Sequence, residues 1–221
     1  MAFRHLRIVL ITAVWLASCT EAQRGHRNEG VLEFKVRCLD PENAFCALSP
    51  TTAKLSFKAH RFKMEMSAFG MFKTAVIGDN RLQAMWHSVD FMDLHKFCKL
   101  NAADLKKENQ QYPLKFIETG KTKIILGFKA HQVIAERTDV KSSFEIWYTN
   151  DIPLPESNVL NPYAQIKGVL LEYRIRKMDT ELAFVASSYE PLAISDSIFN
   201  LNKASEQVSY TDIQSIFENL K

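Results

Sequence analysis

Apolar and polar residues alternate along most of the chain after residue 30, which is the pattern of strands with one buried face. The first run places Leu32, Phe34, Val36 and Cys38 on one face and charged side chains on the other. The same pattern recurs in segments 55–59, 62–66, 82–86, 144–148, 169–175 and 182–186. Short strands in this number, joined by tight turns, predict a meandering antiparallel sheet.

The segments between the strands indicate the shape of the sheet. Residues 78–80 and 177–180 have the composition of hairpin turns. Residues 151–162 carry three prolines and predict a long surface connection, with a lid over a site as the alternative. Trp147 and Val185 add apolar side chains on the second face of their strands, which favours a strongly curved sheet.

Two segments have helical character. Residues 101–108 predict one or two turns of helix. Near the C-terminus, Thr211 with Gln214 resembles a capping box. There the apolar stripe predicts a helix that packs on the sheet, with a partner-binding helix as the alternative; the stripe consists of Ile213, Ile216, Phe217 and Leu220. We therefore expect a mainly β fold, a curved antiparallel sheet or incomplete β-barrel with a few short helices on its concave side and a C-terminal helix.

The N-terminus has the pattern of an export signal. Arg4 and Arg7 precede the apolar run 8–17, which is too short for a bilayer span of roughly 18–20 residues. The sequence Leu16-Ala17-Ser18-Cys19 that follows resembles a bacterial lipobox, whose cysteine receives a diacylglycerol group. Cys19 is then the lipid anchor; an ordinary signal peptide with an incidental cysteine is the alternative. The predicted boundaries are signal peptide 1–18, flexible tether 19–30 and a single domain 31–221.

The net charge and the residue after Cys19 indicate which partners and which membrane to expect. Loss of Arg4 and Arg7 with the signal lowers the formal net charge from +3 to +1, so a nucleic-acid partner is not expected. Thr20 stands where enteric lipoproteins of the inner membrane carry Asp. By that analogy, we expect lipid anchoring in the outer membrane, on its periplasmic face rather than at the cell surface.

An exported protein enters an oxidising compartment, in which its cysteines can form disulfides. Cys38 and Cys46 flank a turn-rich loop and are the disulfide candidates. Cys98 could pair with either of them, so the sequence leaves the connectivity open.

Methionines and aromatic residues are concentrated in one part of the chain. Five methionines fall between residues 64 and 92, interleaved with aromatic side chains. Methionine is flexible and polarizable, so it suits surfaces that adapt to apolar partners. In a curved sheet this stretch could line a ligand cavity; a methionine-filled core is the alternative. The cavity candidates are Phe62, Met64, Met66, Phe69, Met71, Met85, Trp86 and Phe91.

Three segments carry a family resemblance: 121–130 with Gly127, 144–153 with Trp147-Tyr148-Thr149, and 166–173 with Gly168. In this order they resemble the GLPGLI-type envelope proteins of Bacteroidota and the related domain-of-unknown-function family 4412. The resemblance covers roughly residues 115–200. Lys167 replaces the proline of GLPGLI proteins, which favours the sister family. The resemblance implies a fold related to the Lol-type lipoprotein carriers, an incomplete β-barrel around short helices, and no set of catalytic residues.

Motifs for catalysis are not evident in the sequence. We find no nucleophile elbow and no phosphate-binding glycine loop. One grouping suggests a metal site: Asp90, Asp93 and His95. Residues at these spacings rarely converge, so we expect no metal. We also expect no catalytic residues and no cofactor. We expect a non-enzymatic lipoprotein that binds or carries a hydrophobic ligand, a lipid or acyl chain. The alternative is an accessory subunit that binds a protein partner in an envelope complex and has no small-molecule ligand.

Overall fold

The computed structural model describes residues 28–40, 42, 46, 49–68, 70, 72–177 and 180–218. In these ranges the chain forms twelve strands and two α-helices, α1 (Ala102–Asn109) and α2 (Tyr210–Glu218). The strands are β1 (Glu29–Cys38), β2 (Thr52–Lys58), β3 (Arg61–Ala68), β4 (Phe72–Asp79), β5 (Ala84–Phe91), β6 (Leu94–Leu100), β7 (Leu114–Ile125), β8 (Phe128–Arg137), β9 (Ser142–Thr149), β10 (Val169–Lys177), β11 (Thr180–Glu190) and β12 (Glu206–Gln207).

The strands form one open, curved sheet made of two meanders. Its order is β12-β6-β5-β4-β3-β2-β1-β11-β10-β9-β8-β7. Consecutive strands pair antiparallel from β1 to β6 and from β7 to β11, and β1 joins the two halves by pairing with β11, where Phe34 lies opposite Ala186. The predicted mainly β fold with a curved sheet and a C-terminal helix is confirmed. The sheet is mixed rather than purely antiparallel, because β12 lies parallel to β6.

The C-terminal segment wraps around the β6 edge of the sheet. After β11, a 3₁₀ turn (Asp196–Phe199) buries Phe199 with Val31 and Ile77, on the outer face. The chain then forms β12 beside β6 and continues into α2 on the opposite, concave face. There Phe217 packs with Val89 and other residues of the sheet. One continuous segment therefore covers both faces near this edge.

Both helices begin at a reciprocal cap. Asn101 Oδ1 accepts from the backbone N–H groups of Ala103 and Asp104, at 2.8 and 3.1 Å. For α2, Ser209 Oγ accepts from Asp212 N–H at 3.1 Å, while the Asp212 carboxylate accepts from Ser209 N–H at 3.0 Å. The expected capping box at Thr211 and Gln214 is therefore wrong by two residues, since Ser209 and Asp212 supply the same chemistry earlier. Leu220 lies outside the described residues.

The N-terminal boundary of the sheet falls earlier than expected. Strand β1 starts at Glu29, so Glu29 and Gly30, assigned to the tether, are part of the sheet. The predicted signal peptide and Cys19 lie outside the described residues. Within the described ranges, no helix has the length and apolar composition needed to cross a bilayer.

The concave face carries the main core, and the connection from β9 to β10 lies on it. This connection, residues 150–168, buries five apolar side chains: Ile152, Leu154, Leu160, Tyr163 and Ile166. The expectation of a surface connection is wrong, because apolar residues between its prolines pack inward. It fills concave space where short helices were expected, while α1 adds only Leu105 to the main core. Val185, expected to be buried on a second apolar face, is 46% exposed.

Cys38 and Cys46 form a disulfide with a Cα–Cα distance of 5.5 Å. Cys98 is buried in a separate cluster beneath α2. A bridge between cysteines eight residues apart contributes about 2–3 kcal/mol in the chain-entropy model. It fixes the end of β1 to the loop that leads to β2.

Candidate ligand-binding cavity

Strand alternation places three methionines on the concave face. In β3, Met64 and Met66 point to this face, and in the antiparallel register Met64 lies opposite both Leu55 and Val76. Met85 in β5 lies opposite Gly78, whose missing side chain leaves room for the ring of Phe62. These residues form one continuous apolar wall across β2 to β5.

A cavity of about 180 Å³ separates this wall from residues 150–168. We call it the main cavity. Its lining comes from both halves of the sheet, from the connection and from the end of α1: Phe34, Leu55, Phe62, Met64, Met66, Val76, Met85, His87, Asn109, Leu154, Ser157, Asn158, Leu160, Asn161, Pro162, Tyr163, Val169, Leu170, Tyr173, Ile175, Leu182 and Phe184. Both meanders thus contribute walls to this apolar space.

A second space of about 110 Å³, the side cavity, lies next to it under α2. Phe72, Val89 and Phe217 are among its lining residues. Both cavities share Met66, Val76, His87 and Leu182 as walls. Because Met66 is unbranched and flexible, a change in its rotamer could connect the two spaces.

Aromatic side chains form the wall contributed by β1, β10 and β11. The ring of Tyr173 stacks on that of Phe184 with centroids 4.8 Å apart and an angle of 9°. Phe34 meets Tyr173 edge-on at 5.8 Å, and Tyr163 meets it edge-on at 6.0 Å. Such packing holds Tyr173 in a defined position.

Hydrogen bonds tie residues 150–168 to themselves and to the sheet. Asn158 Nδ2 donates to the carbonyls of Ile166 and Gly168, at 2.7 and 2.8 Å. Asn80, in the turn between β4 and β5, donates to the carbonyl of Pro155 at 3.0 Å. At Gly168 a Cβ atom would lie 2.8 Å from the carbonyl of Thr149, so the close approach requires glycine. The connection is thereby held as an ordered cover of the cavity.

Charged groups lie behind the cavity wall and pair with one another. Arg137, only 6% exposed, contacts Asp139 at 2.6 Å and Glu181 at 3.4 Å. Tyr112 donates to Glu181 at 3.2 Å. Burial first, and Glu181 second, raise the pKa of Tyr112 well above its ordinary value. Burial also raises the pKa of Tyr163, whose hydroxyl donates to the carbonyl of Arg174. This cluster is internally satisfied.

Four of the predicted cavity residues, Phe62, Met64, Met66 and Met85, line the main cavity. Two others do not.

Trp86 follows Met85 in the same strand and therefore faces the outer side, where it packs near Ile77 and lies 5.5 Å from Lys99 Nζ. Phe91 lies at the far end of β5 against Phe72, with ring centroids 6.0 Å apart. Phe69 and Met71 lie outside the described residues.

Several lining residues were not predicted. Leu154, Leu160 and Pro162 come from the connection, and Tyr173 comes from β10, which was not among the predicted cavity segments. A usable signal was present, since Ile152, Leu154 and Leu160 are apolar side chains inside a segment interpreted as solvated. Tyr173 could not be found in this way, because its position depends on the pairing of distant strands.

The predicted Asp90, Asp93 and His95 grouping brings only two of its members together. His95 Nδ1 lies 2.6 Å from Asp90 Oδ1 across the β5–β6 hairpin. Among the residues that the structure describes, no group of three His, Cys, Asp or Glu side chains could hold a metal ion.

A larger groove of about 520 Å³ lies on the outer face, beneath residues 200–205. Lys54, Lys73, Glu65 and Asp90 are among the residues that line it. These side chains are exposed or half-buried and of mixed charge. Because such a surface remains hydrated, it is a weaker candidate for a specific site than the apolar cavities.

Comparison with known proteins finds similarity to solved structures only. No family model matches the sequence, and no curated protein matches it. Among solved structures, PNGF-II in space group P21 is similar, with a TM-score of 0.55 and 13% identity over 86% of this chain. PNGF-II in space group C2 gives a TM-score of 0.51 and 14% identity over the same share. The chain spans 33% of the length of PNGF-II. This likeness concerns the fold alone.

Proposed function

We propose that this protein is a non-enzymatic envelope lipoprotein that holds a small hydrophobic ligand between the concave face and residues 150–168. The observation that carries the proposal is the main cavity of about 180 Å³. Apolar and aromatic side chains dominate its wall, so transfer of an apolar ligand from water into this space is favourable.

Cavity size limits the ligand. An apolar cavity of about 150 Å³ takes up benzene in a well-known engineered case, so the main cavity suits a ligand of that size or slightly larger. Ligand pockets commonly span about 300–1,000 Å³. With the side cavity of about 110 Å³ joined to it, the space approaches that lower limit. A short acyl chain, or the end of a longer one, therefore fits better than a whole lipid.

The lipid anchor is the second part of the proposal. The sequence Leu16-Ala17-Ser18-Cys19 supports acylation at Cys19, and several acyl chains, each methylene adding ~0.8 kcal/mol, make a stable anchor. Labelled palmitate should be incorporated into the wild-type chain and into the matched variant Thr20→Ala, and not into Cys19→Ala. Labelling of Cys19→Ala to the same extent would contradict the anchor.

Ligand binding is tested by filling the cavity. The full-length chain with Cys19→Ala, which carries no acyl group of its own at that position, is extracted for lipid mass spectrometry and titrated with methyl octanoate. Val76→Phe replaces a small side chain with an aromatic ring in the wall shared by both cavities. It should weaken binding at least tenfold. Val185→Phe makes the same exchange at a site that is 46% exposed and should leave binding unchanged.

Binding that is equal in Val76→Phe and wild type would contradict a ligand in the main cavity. Absence of any co-purified lipophile together with no binding of methyl octanoate by the wild-type chain would contradict the ligand-holding function altogether.

A second candidate function is an interaction module in an envelope complex, with the cavity as a packing defect. The observation that favours it is that PNGF-II contains a similar fold in a chain of which this protein spans 33%. A fold of this kind is thus used there as one component of a longer protein. Failure of ligand binding, with specific cross-linking of the outer face to an envelope protein, would support this candidate instead.

A further inference from the structure

We propose that the cavity selects a neutral ligand with one oxygen acceptor, such as an acyl ester, and that the Tyr173 hydroxyl donates a hydrogen bond to that oxygen. This inference rests on the proposed function and specifies its ligand class. It is carried by two observations, the position of Tyr173 and the absence of Asp, Glu, Lys and Arg from the described residues that line the two cavities.

Tyr173 combines a fixed ring with an available hydroxyl. Its ring is held between Phe184, Phe34 and Tyr163. The hydroxyl makes no hydrogen bond within the described part of the chain, in contrast to Tyr163, which donates to Arg174. The hydroxyl is not fully buried, and Tyr173 is one of the residues that line the main cavity.

The state of this hydroxyl suits a donor. Burial raises the pKa of Tyr173 far above the ordinary value of a tyrosine, so the hydroxyl keeps its proton at every physiological pH. A carbonyl oxygen of the ligand would supply the acceptor that this donor lacks among the described residues.

Other polar groups in the lining are largely engaged. Ser157 donates to the carbonyl of Gly168 at 2.9 Å, and Asn158 donates to two carbonyls. Asn161 accepts from Tyr163 N–H at 2.9 Å. Two further polar side chains line the main cavity: Asn109, half-buried at the end of α1, and His87, whose Nε2 lies 2.9 Å from Met85 Sδ.

The charge pattern disfavours ionised ligands. None of the described residues that line either cavity is Asp, Glu, Lys or Arg, and the one histidine in both linings, His87, has its Nε2 2.9 Å from Met85 Sδ. The nearby guanidinium of Arg137 is already paired with Asp139 and Glu181. A carboxylate or phosphate moved into the cavity would lose its hydration without gaining a Lys or Arg counter-charge. Esters and similar neutral groups escape that penalty.

The test uses the full-length chain with Cys19→Ala, titrated calorimetrically at neutral pH with methyl octanoate, sodium octanoate and ethylbenzene. We expect methyl octanoate to bind at least tenfold more tightly than octanoate. Tyr173→Phe should weaken methyl octanoate binding about fivefold to tenfold, the size of one hydrogen bond, and leave ethylbenzene binding unchanged. Tyr189→Phe is the matched control, since Tyr189 packs on Phe128 and does not line the cavity.

The outcomes separate the two proposals. If none of the three probes binds the wild-type chain, the ligand-holding function is overturned, and this inference with it. If methyl octanoate binds but octanoate binds equally well, or Tyr173→Phe has no effect, the ligand class is wrong and the holding function stands. An equal loss of methyl octanoate and ethylbenzene binding in Tyr173→Phe would assign Tyr173 a packing role and also overturn the inference.

Discussion

The side-chain amide of Asn80 donates to the backbone carbonyl of Pro155 over 3.0 Å, and Asn80 itself is only 1% exposed. This bond connects the turn between β4 and β5 to the segment that covers the main cavity. The turn and the cover are 75 positions apart in the chain. Residues 150–168, which connect β9 to β10, are therefore also attached to the β4–β5 side of the cavity.

Asn80→Ala should loosen this attachment. Removal of the donor leaves the Pro155 carbonyl without its partner, at a cost of about 1–2 kcal/mol. We expect faster amide hydrogen exchange in residues 150–168 and a lower free energy of unfolding. Asn202→Ala, which removes an exposed asparagine from a loop on the outer face, is the control. Unchanged exchange in residues 150–168 of Asn80→Ala would show that the cover does not depend on this bond.

Ser209→Ala should destabilise the C-terminal helix. It removes the hydroxyl that accepts from Asp212 N–H, and loss of such a cap costs about 1 kcal/mol. Thr211→Ala, at the position where the sequence suggested the cap, should cost less than half as much. Urea unfolding of both variants measures the difference. A larger loss of free energy of unfolding in Thr211→Ala than in Ser209→Ala would place the cap of α2 at Thr211 instead.

Phe184→Glu and Val185→Glu should differ sharply although the residues are adjacent. Phe184 is 3% exposed in the cavity wall, whereas Val185 is 46% exposed on the outer face. We expect a loss of at least about 3 kcal/mol for the first, from lost packing and a buried charge. The second should change the free energy of unfolding by roughly 0.5 kcal/mol or less. Equal losses, measured by urea unfolding, would contradict the assignment of the two faces.

Stability should fall in alkaline solution. Burial raises the pKa of Tyr163 and Tyr173 above the ordinary value of about 10, so the folded chain keeps protons that the unfolded chain releases. Their contribution is therefore complete below pH 10 and is lost as the pH rises beyond it. Each such tyrosine lowers the free energy of unfolding by about 1.4 kcal/mol per pH unit. Urea unfolding between pH 8 and 11 should show little dependence on pH from these groups below pH 10 and this slope above it, and Tyr163→Phe should reduce the slope.

Local patterns were sufficient to predict much of the sheet. Alternation identified the strands that carry Phe34, Met64 and Phe184, because a period of two depends only on neighbouring residues. It also determines which predicted cavity residues can share a face. Met85 and Trp86 were both proposed, yet adjacent residues of a strand point to opposite sides, so one of them had to be wrong.

Other parts of the site depend on long-range arrangement. Tyr173 becomes a cavity residue only because β10 and β11 lie beside β1, a pairing that no local pattern specifies. The inward packing of Leu154 and Leu160 is not evident from the sequence, because the prolines beside them indicate a surface connection. Proline excludes a segment from a central strand, but it does not keep neighbouring leucines out of a core.

The pairing of β1 with β11 has a consequence for how the chain acquires its structure. Phe34 and Ala186 are separated by about 150 positions, so the first meander is complete long before its partner exists. Until then β1 presents an open hydrogen-bonding edge with a hydrophobic face, the kind of surface on which nascent chains aggregate. Closure across so large a sequence separation is also slow. Successful production of this protein should therefore depend on a holding chaperone that protects β1 until β11 arrives.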